Sequence, residues 1–250
     1  MVFENRFFNR VSITDNPPLT LEEFCEWNDI GIIEAHSISE VSSSILELSQ
    51  KLLFDYMSYN DLIIFLSAAL NKKEKHIRYV LNAPYTTSKL DSEYLLNLLV
   101  NCKILTDVSY SSTSKSFWIE ADLRNTYSVR DILNIGLCRY LASISDCNGN
   151  MRFSAKLNIS GNEEFASVVL LRNGKLIIIT IANAIGLEAD IASHTRQLER
   201  LKRKIFKTRK TFCDIDDIII VTPYVQQLLP SSSKIISIDK IKEFGTILLP

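Results

Sequence analysis

The sequence predicts an α/β chain in which a mainly helical module precedes a mixed sheet with flanking helices, and three observations carry that prediction. Glycine (7) and proline (6) are scarce for 250 residues, which disfavours a turn-rich all-β sandwich. Helical periodicity dominates residues 44–101, whereas apolar alternation around Arg172-Asn173-Gly174 dominates residues 152–182. At 46% hydrophobic and 23% charged residues, the chain can fill one large core or two modest ones, so disordered and fibrous classes are excluded.

The elements follow in order. Asn16-Pro17-Pro18 stops any preceding structure, and Thr20-Leu21-Glu22-Glu23 reads as a capped helix start that turns Phe24 and Trp27 inward. Residues 1–43 are therefore read as an entry segment. Helical stretches are expected near residues 44–57, 59–71 and 91–101. Ile104 to Tyr110 then alternates like a strand, and Ser116-Phe117-Trp118-Ile119 returns as its partner, with Trp118 expected in the core. Three helices and a hairpin make a winged-helix order, so residues 44–116 read as a winged-helix-like connector. Such modules can present a helix to nucleic acid. Here the stretch Asp91 to Val100 holds two acids and no base, and phosphate binding by that face is not expected.

In the second half, Ser128 can cap a helix from Val129 to about Ser143, with Ile132, Ile135, Leu137 and Leu141 on its apolar side. Strands are expected at 152–159, 164–171 and 175–182. The last two join as a hairpin, because Asn-Gly readily takes positive φ at both turn positions. Leu176 to Ile181 is apolar enough for a strand buried on both faces. A long helix is expected from about Glu188 to Phe206, then a strand at 215–221, a short helix after Pro223, a strand at 234–238 and a closing helix from Asp239. A helix, three antiparallel strands, a crossover helix and a further strand force a parallel pairing near the centre of a mixed sheet. That order matches the restriction-endonuclease-like core, and residues 117–250 read as a nuclease-like domain.

Charge and thiols bound the function. Residues 1–120 carry 10 basic against 16 acidic groups and residues 121–250 carry 18 against 13, so the second half is mildly basic. The amino terminus lacks the apolar stretch of a secretory signal and no segment reaches the roughly 20 apolar residues of a membrane helix, so a cytoplasmic protein without a membrane partner is expected. Cys25, Cys102, Cys138, Cys147 and Cys213 form no C-x-x-C pair and read as reduced, mostly buried thiols. His36, His76 and His194 are isolated in sequence, as surface or capped histidines are.

Four stretches taken together resemble a known family. Leu19 to Phe24 looks like its entry to the connector, Phe117-Trp118-Ile119-Glu120 like the start of its nuclease domain, Asn162 to Ala182 like its metal-site hairpin, and Leu198 to Lys204 like the helix that follows. The family is that of the CRISPR-associated, cyclic-oligoadenylate-activated nucleases, which join a sensory CARF domain to a PD-(D/E)XK nuclease domain through a winged-helix-like connector. The resemblance implies an aspartate on the second strand and a glutamate-x-lysine on the third, holding magnesium or manganese that generates hydroxide. On that pattern this sequence places Ala166 at the aspartate, Thr180 at the glutamate and Ala182 at the lysine. Glu120 keeps the acid that the family contributes from its first helix. Glu163 and Glu164 lie just before the empty aspartate position, but by alternation Glu164 sits ~7 Å down the strand from Ala166. The sensory domain has no counterpart in the resemblance, so no cyclic oligoadenylate is expected to bind.

A basic helix is the richest binding candidate. Arg196, Arg200, Lys202, Arg203, Lys204, Lys207, Arg209 and Lys210 fall together with only Glu199 opposing, and a spacing of four aligns Arg196, Arg200 and Lys204 beside Arg203 and Lys207. A phosphate backbone could follow that stripe, and the same charges could equally solvate the outer face of a packed helix. The expectation is a nuclease-fold protein without metal-dependent phosphodiester cleavage and without a cofactor. It would bind nucleic acid, a partner protein or a second copy of itself, in CRISPR-linked defence. Two alternatives remain. One is an active endonuclease using magnesium or manganese on Glu120 with Glu163 or Glu164; the other is a winged-helix regulator.

Overall fold

The computed structural model describes residues 20–81, 87–124, 128–145, 148–159, 161–182, 214–221 and 234–243. In chain order its elements are α1 (Leu21–Trp27), β1 (Ile30–His36), α2 (Ser43–Phe54), α3 (Tyr56–Asn71), β2 (His76–Val80), α4 (Lys89–Asn101), β3 (Leu105–Ser111) and β4 (Ser116–Ala121). Then follow α5 (Val129–Ile144), β5 (Met151–Ile159), β6 (Asn162–Arg172), β7 (Lys175–Ala182), β8 (Asp214–Val221) and β9 (Lys234–Ser237), with a 3-10 turn over Ile238–Glu243. The sequence indicates α1 to α5 because each has a periodic apolar face, and side chains of Thr20, Ser88 and Ser128 cap α1, α4 and α5. Thr20 and Glu23 close the capping box of α1, and Ser128 and Asp131 close that of α5.

The strands form two sheets. One has six strands in the order β1-β5-β6-β7-β8-β9, and the other has three in the order β2-β4-β3. In the larger sheet β1, β5, β6 and β7 pair antiparallel, while β7–β8 and β8–β9 are parallel. A parallel pairing needs a crossover between its strands. The helix expected at about 188–206 in that connection lies outside the described residues, as does the short helix after Pro223.

The structure adds detail to the expected segments. Within the expected entry segment of residues 1–43, β1 pairs with β5 at the edge of the six-stranded sheet, and Leu21, Phe24 and Ile30 belong to the core on its flank. The expected boundary between residues 116 and 117 falls inside β4, whose partners are β2 and β3, so the segment containing Glu120 sits in the smaller sheet. The closing helix is a 3-10 turn that starts at Ile238. Two strands escaped sequence reading. β1 has an irregular burial pattern with register shifts, and β2 has five residues directly behind Lys72-Lys73-Glu74-Lys75.

Two apolar cores flank the larger sheet. The first is built from α2, α3, α4 and α5 together with the inner face of the small sheet and with Met151, Phe153, Val168, Leu170, Ile177, Ile179 and Ile181. The second joins Leu21, Phe24, Cys25 and Ile30 to Ala155, Leu157, Ala166, Val169, Leu176 and Ile178. Strand β7 thus feeds alternate side chains to both cores, as its unbroken apolar run requires. Helices α2 and α5 approach closely at Gly136, where a Cβ would collide with the Ser49 carbonyl oxygen. Trp118 departs from the core role expected of it: Phe117 and Ile119 point inward, so alternation turns Trp118 out, 49% exposed.

Candidate functional site

The hairpin of β6 and β7 forms where the sequence indicates. Asn173 (φ 50°) and Gly174 (φ 73°) both take positive φ, which gives the turn whose twist matches the flanking strands. The ladder runs from Arg172↔Lys175 to Val168↔Ile179. At its far end the buried Ser167 Oγ accepts the Ile181 N–H at 2.9 Å, replacing a backbone carbonyl where the two strands part.

This parting end is where the resemblance places its metal site. Ala166 is 1% exposed among the residues of the second core. Thr180, 8% exposed, lies by alternation on the same side as Ile178. The structure therefore brings Ala166 and Thr180 onto one face, and neither carries a carboxylate; Ala182, an alanine in the sequence, ends β7. A register change of one residue exposes the opposite face. There the equivalent positions are Ser167, Ile179 and Ile181, again without a carboxylate. Neither phase of the hairpin fits a hard divalent cation, which takes oxygen ligands and favours charged ones. Among the described residues no three His, Cys, Asp or Glu side chains gather as a metal site.

The polar groups that do assemble lie on the α5 side. Ser154 adopts φ 47° in the middle of β5, and the chain there changes faces: Met151 and Phe153 belong to the first core, Ala155 and Leu157 to the second. Strand β6 changes faces at the same level, between Val168 and Ala166. The turned Ser154 hydroxyl donates to Asp131 Oδ1 at 2.5 Å and accepts from Asn134 Nδ2 at 3.0 Å. Asp131 Oδ2 accepts the Ser128 N–H (2.9 Å) and hydroxyl (2.7 Å). Asn134 is fully buried and its Oδ1 has no hydrogen-bond partner. This network fastens the first turn of α5 to the sheet. Sequence reading missed it, because only the Ser128-x-x-Asp131 spacing signals any of it.

The remaining candidates are dispersed. Glu120 is on β4, not on the first helix of the sheet domain, and its Oε1 pairs with Lys75 Nζ at 3.0 Å on the small sheet. Glu163 pairs with Lys156 at 2.6 Å, and Glu164 stands opposite Leu157 in the ladder. Glu120 thus sits in a different sheet from Glu163 and Glu164. Arg196, Arg200, Arg203, Lys204 and Lys207 lie outside the described residues, with the rest of the basic helix. The acidic face expected at Asp91 to Val100 belongs to α4, which starts two residues earlier and so includes Lys89, whose ammonium lies 4.2 Å from the Tyr110 ring centroid. His36 packs against Phe153 and lies 3.5 Å from Glu34, and His76 is exposed on β2. His194 is outside the described residues.

Two thiols are strongly perturbed. Burial pushes Cys25 up to about 12, with Glu22 adding to the rise, and burial pushes Cys138 to about 12 against a small opposing effect of Arg152. Both are inert as nucleophiles in that state. No helix among the described residues is long and apolar enough to cross a membrane.

No family model and no curated protein matches the chain. Solved structures do. Protein VC1899 from Vibrio cholerae superposes with a TM-score of 0.56 at 14% identity, over 92% of this chain and 60% of that one. Can2 from Sulfobacillus thermosulfidooxidans, solved in complex with cyclic tetra-adenylate, gives a TM-score of 0.53 at 11% identity, over 94% of this chain and 61% of that one. This chain spans about three fifths of the length of the solved structures it matches. At such identities the likeness concerns the fold alone, a mixed α/β one with flanking helices.

Proposed function

We propose that this chain is a nuclease-fold binding protein that has lost metal-dependent phosphodiester cleavage and works in CRISPR-linked defence through nucleic-acid binding or protein assembly. One observation carries the reading: at the parting end of the β6–β7 hairpin, both faces present alanine, serine, threonine and isoleucine where cation chemistry needs carboxylates. Glu120, the acid retained from the family pattern, is engaged by Lys75 on the other sheet. In this reading the PD-(D/E)XK arrangement survives as a scaffold, and residues 44–121 serve as a winged-helix-like connector.

Cleavage assays with magnesium and with manganese, on single- and double-stranded DNA and RNA, test it. No cutting is expected under any condition. Cutting that disappears in Glu120→Ala or Glu164→Ala establishes the alternative of a rearranged carboxylate set and ends this reading. Can2 was solved with cyclic tetra-adenylate bound, which bears against the expectation that no cyclic oligoadenylate binds. That expectation is retained as part of the proposal, and titration of cyclic tetra-adenylate onto this chain decides it: saturable heat or a shifted melting temperature removes it.

A further inference from the structure

We infer that the open face of the three-stranded sheet is a binding platform for single-stranded nucleic acid, centred on Trp118 and Arg78. The inference rests on the reading that this chain works by binding, and it names a surface other than the basic helix.

The small sheet is buried on one side and open on the other. Ile77, Tyr79, Phe117 and Ile119 point into the first core, so Arg78 and Trp118, paired directly across β2 and β4, point to solvent. Half the surface of an indole is thus left in water at the centre of a sheet, where a strand pair would ordinarily carry polar side chains. Arg78 lies over that ring, 5.2 Å from its centroid, and its Nε donates to Ser116 Oγ at 3.3 Å, which holds the guanidinium in place. Indole faces and guanidinium planes are the two surfaces on which unstacked bases settle, with little preference for sequence.

The surroundings supply the charge. Lys72, Lys73 and Lys75 are exposed on the approach to β2, and Lys115 is exposed where β3 turns into β4, so cations stand at both ends of the strand that carries Arg78. Against these five bases, the acids on the same face and its approach are Glu74, Asp107 and Glu120, and Lys75 already holds Glu120. The face is net positive with an aromatic at its centre. A protein partner would be expected to meet a larger apolar patch, whereas bases and phosphates need this alternation of ring and cation. A duplex keeps its bases stacked and cannot use the ring.

The chain has two tryptophans, so Trp27→Phe leaves Trp118 as the sole indole reporter. Titration with a 12-mer of deoxythymidine or of uridine at low salt should quench its emission, and raising salt from 50 to 200 mM should weaken binding about tenfold. In the wild-type background, measured by anisotropy, Trp118→Ala should lose at least about fivefold in affinity, and Trp118→Phe should retain most of it. Lys72→Glu with Lys73→Glu should weaken binding and flatten the salt dependence. If Trp118→Ala fails to fold, quenching in the Trp27→Phe protein, or its absence there, still decides the matter. No quenching, unchanged affinity of Trp118→Ala, a preference for duplex, or Trp118-dependent self-association without an oligonucleotide response would each overturn the inference. The two proposals fail separately: a chain that cuts yet binds here refutes only the loss of catalysis, and one that neither cuts nor binds here refutes only the platform.

Discussion

Ser154 holds left-handed backbone in the middle of a β-strand, a conformation that costs a residue with a Cβ roughly 1–2 kcal/mol. The surrounding hydrogen bonds hold it there: its hydroxyl is the link between Asp131 and Asn134. Ser154→Ala keeps the strain and strips both partners, so it should destabilise by about 2 kcal/mol. Ser154→Gly loses the same bonds but relieves the backbone, so it should be less destabilised than the alanine variant by about 1 kcal/mol. Urea denaturation of the two variants measures the difference, and equal stability removes the strain from the explanation. The buried thiols give a second expectation at this scale. With folded-state values near 12 against an ordinary 9.0, Cys25 and Cys138 stay protonated at neutral pH and should resist a disulfide reagent at pH 8 until denaturant is added. Because these values are raised, their contribution to stability is complete below about pH 9 and is lost as pH climbs towards 12. Thermal melts across pH 8 to 11 should show the decline, and prompt labelling of either cysteine in the native protein contradicts it.

Elements carry the next set of consequences. Helices α2 and α5 meet backbone to backbone at Gly136, with no room for a methyl group against the Ser49 carbonyl. Gly136→Ala should therefore cost 1–3 kcal/mol or force the helices apart, despite alanine's better helix propensity. A thermal melt that rises instead shows that the contact yields. The β6–β7 hairpin makes the opposite point about restoring chemistry. Ala166 is nearly inaccessible within an apolar cluster, so Ala166→Asp buries an unpaired carboxylate and should destabilise by about 3 kcal/mol or more. Equilibrium unfolding of that variant near pH 7 and near pH 4 tests the cause. Protonation at the lower pH should recover part of the loss, and a pH-independent penalty assigns it to packing. Much of this hairpin was legible in sequence, because Asn-Gly demands its turn and alternation fixes the faces from Val168 to Ile179. The face change at Ser154 was not, because a lone serine in a strand that alternates charged and apolar residues gives no sign that its φ is positive. Strand β1 was missed for a related reason: its pairing with β5 is irregular and its burial comes from a distant partner.

At the scale of the molecule, the helical module and the larger sheet share the first core, with α5 packed between α2 and strands β5 and β6. Shared burial makes the two halves one cooperative unit, so unfolding followed by Trp fluorescence and by far-ultraviolet circular dichroism should give coincident transitions. Two separated transitions would restore the independent modules that sequence reading expected. The boundary expected between residues 116 and 117 falls inside β4. Nothing in Ser116 to Ala121 distinguishes a strand that closes one sheet from a strand that opens another, and only pairing with β2 and β3 settles it.

What the sequence determined unaided is the local grammar: capped helices, an Asn-Gly hairpin and an apolar strand open to two cores. These depend on interactions a few residues apart, which spacing reveals. Tertiary structure alone decided that Glu120 belongs to the smaller sheet, that Asp131, Asn134 and Ser154 meet beneath the larger one, and that Trp118 faces water beside Arg78. Those outcomes turn on which strand pairs with which, and pairing energy is shared by segments far apart in the chain, so no window of sequence contains it.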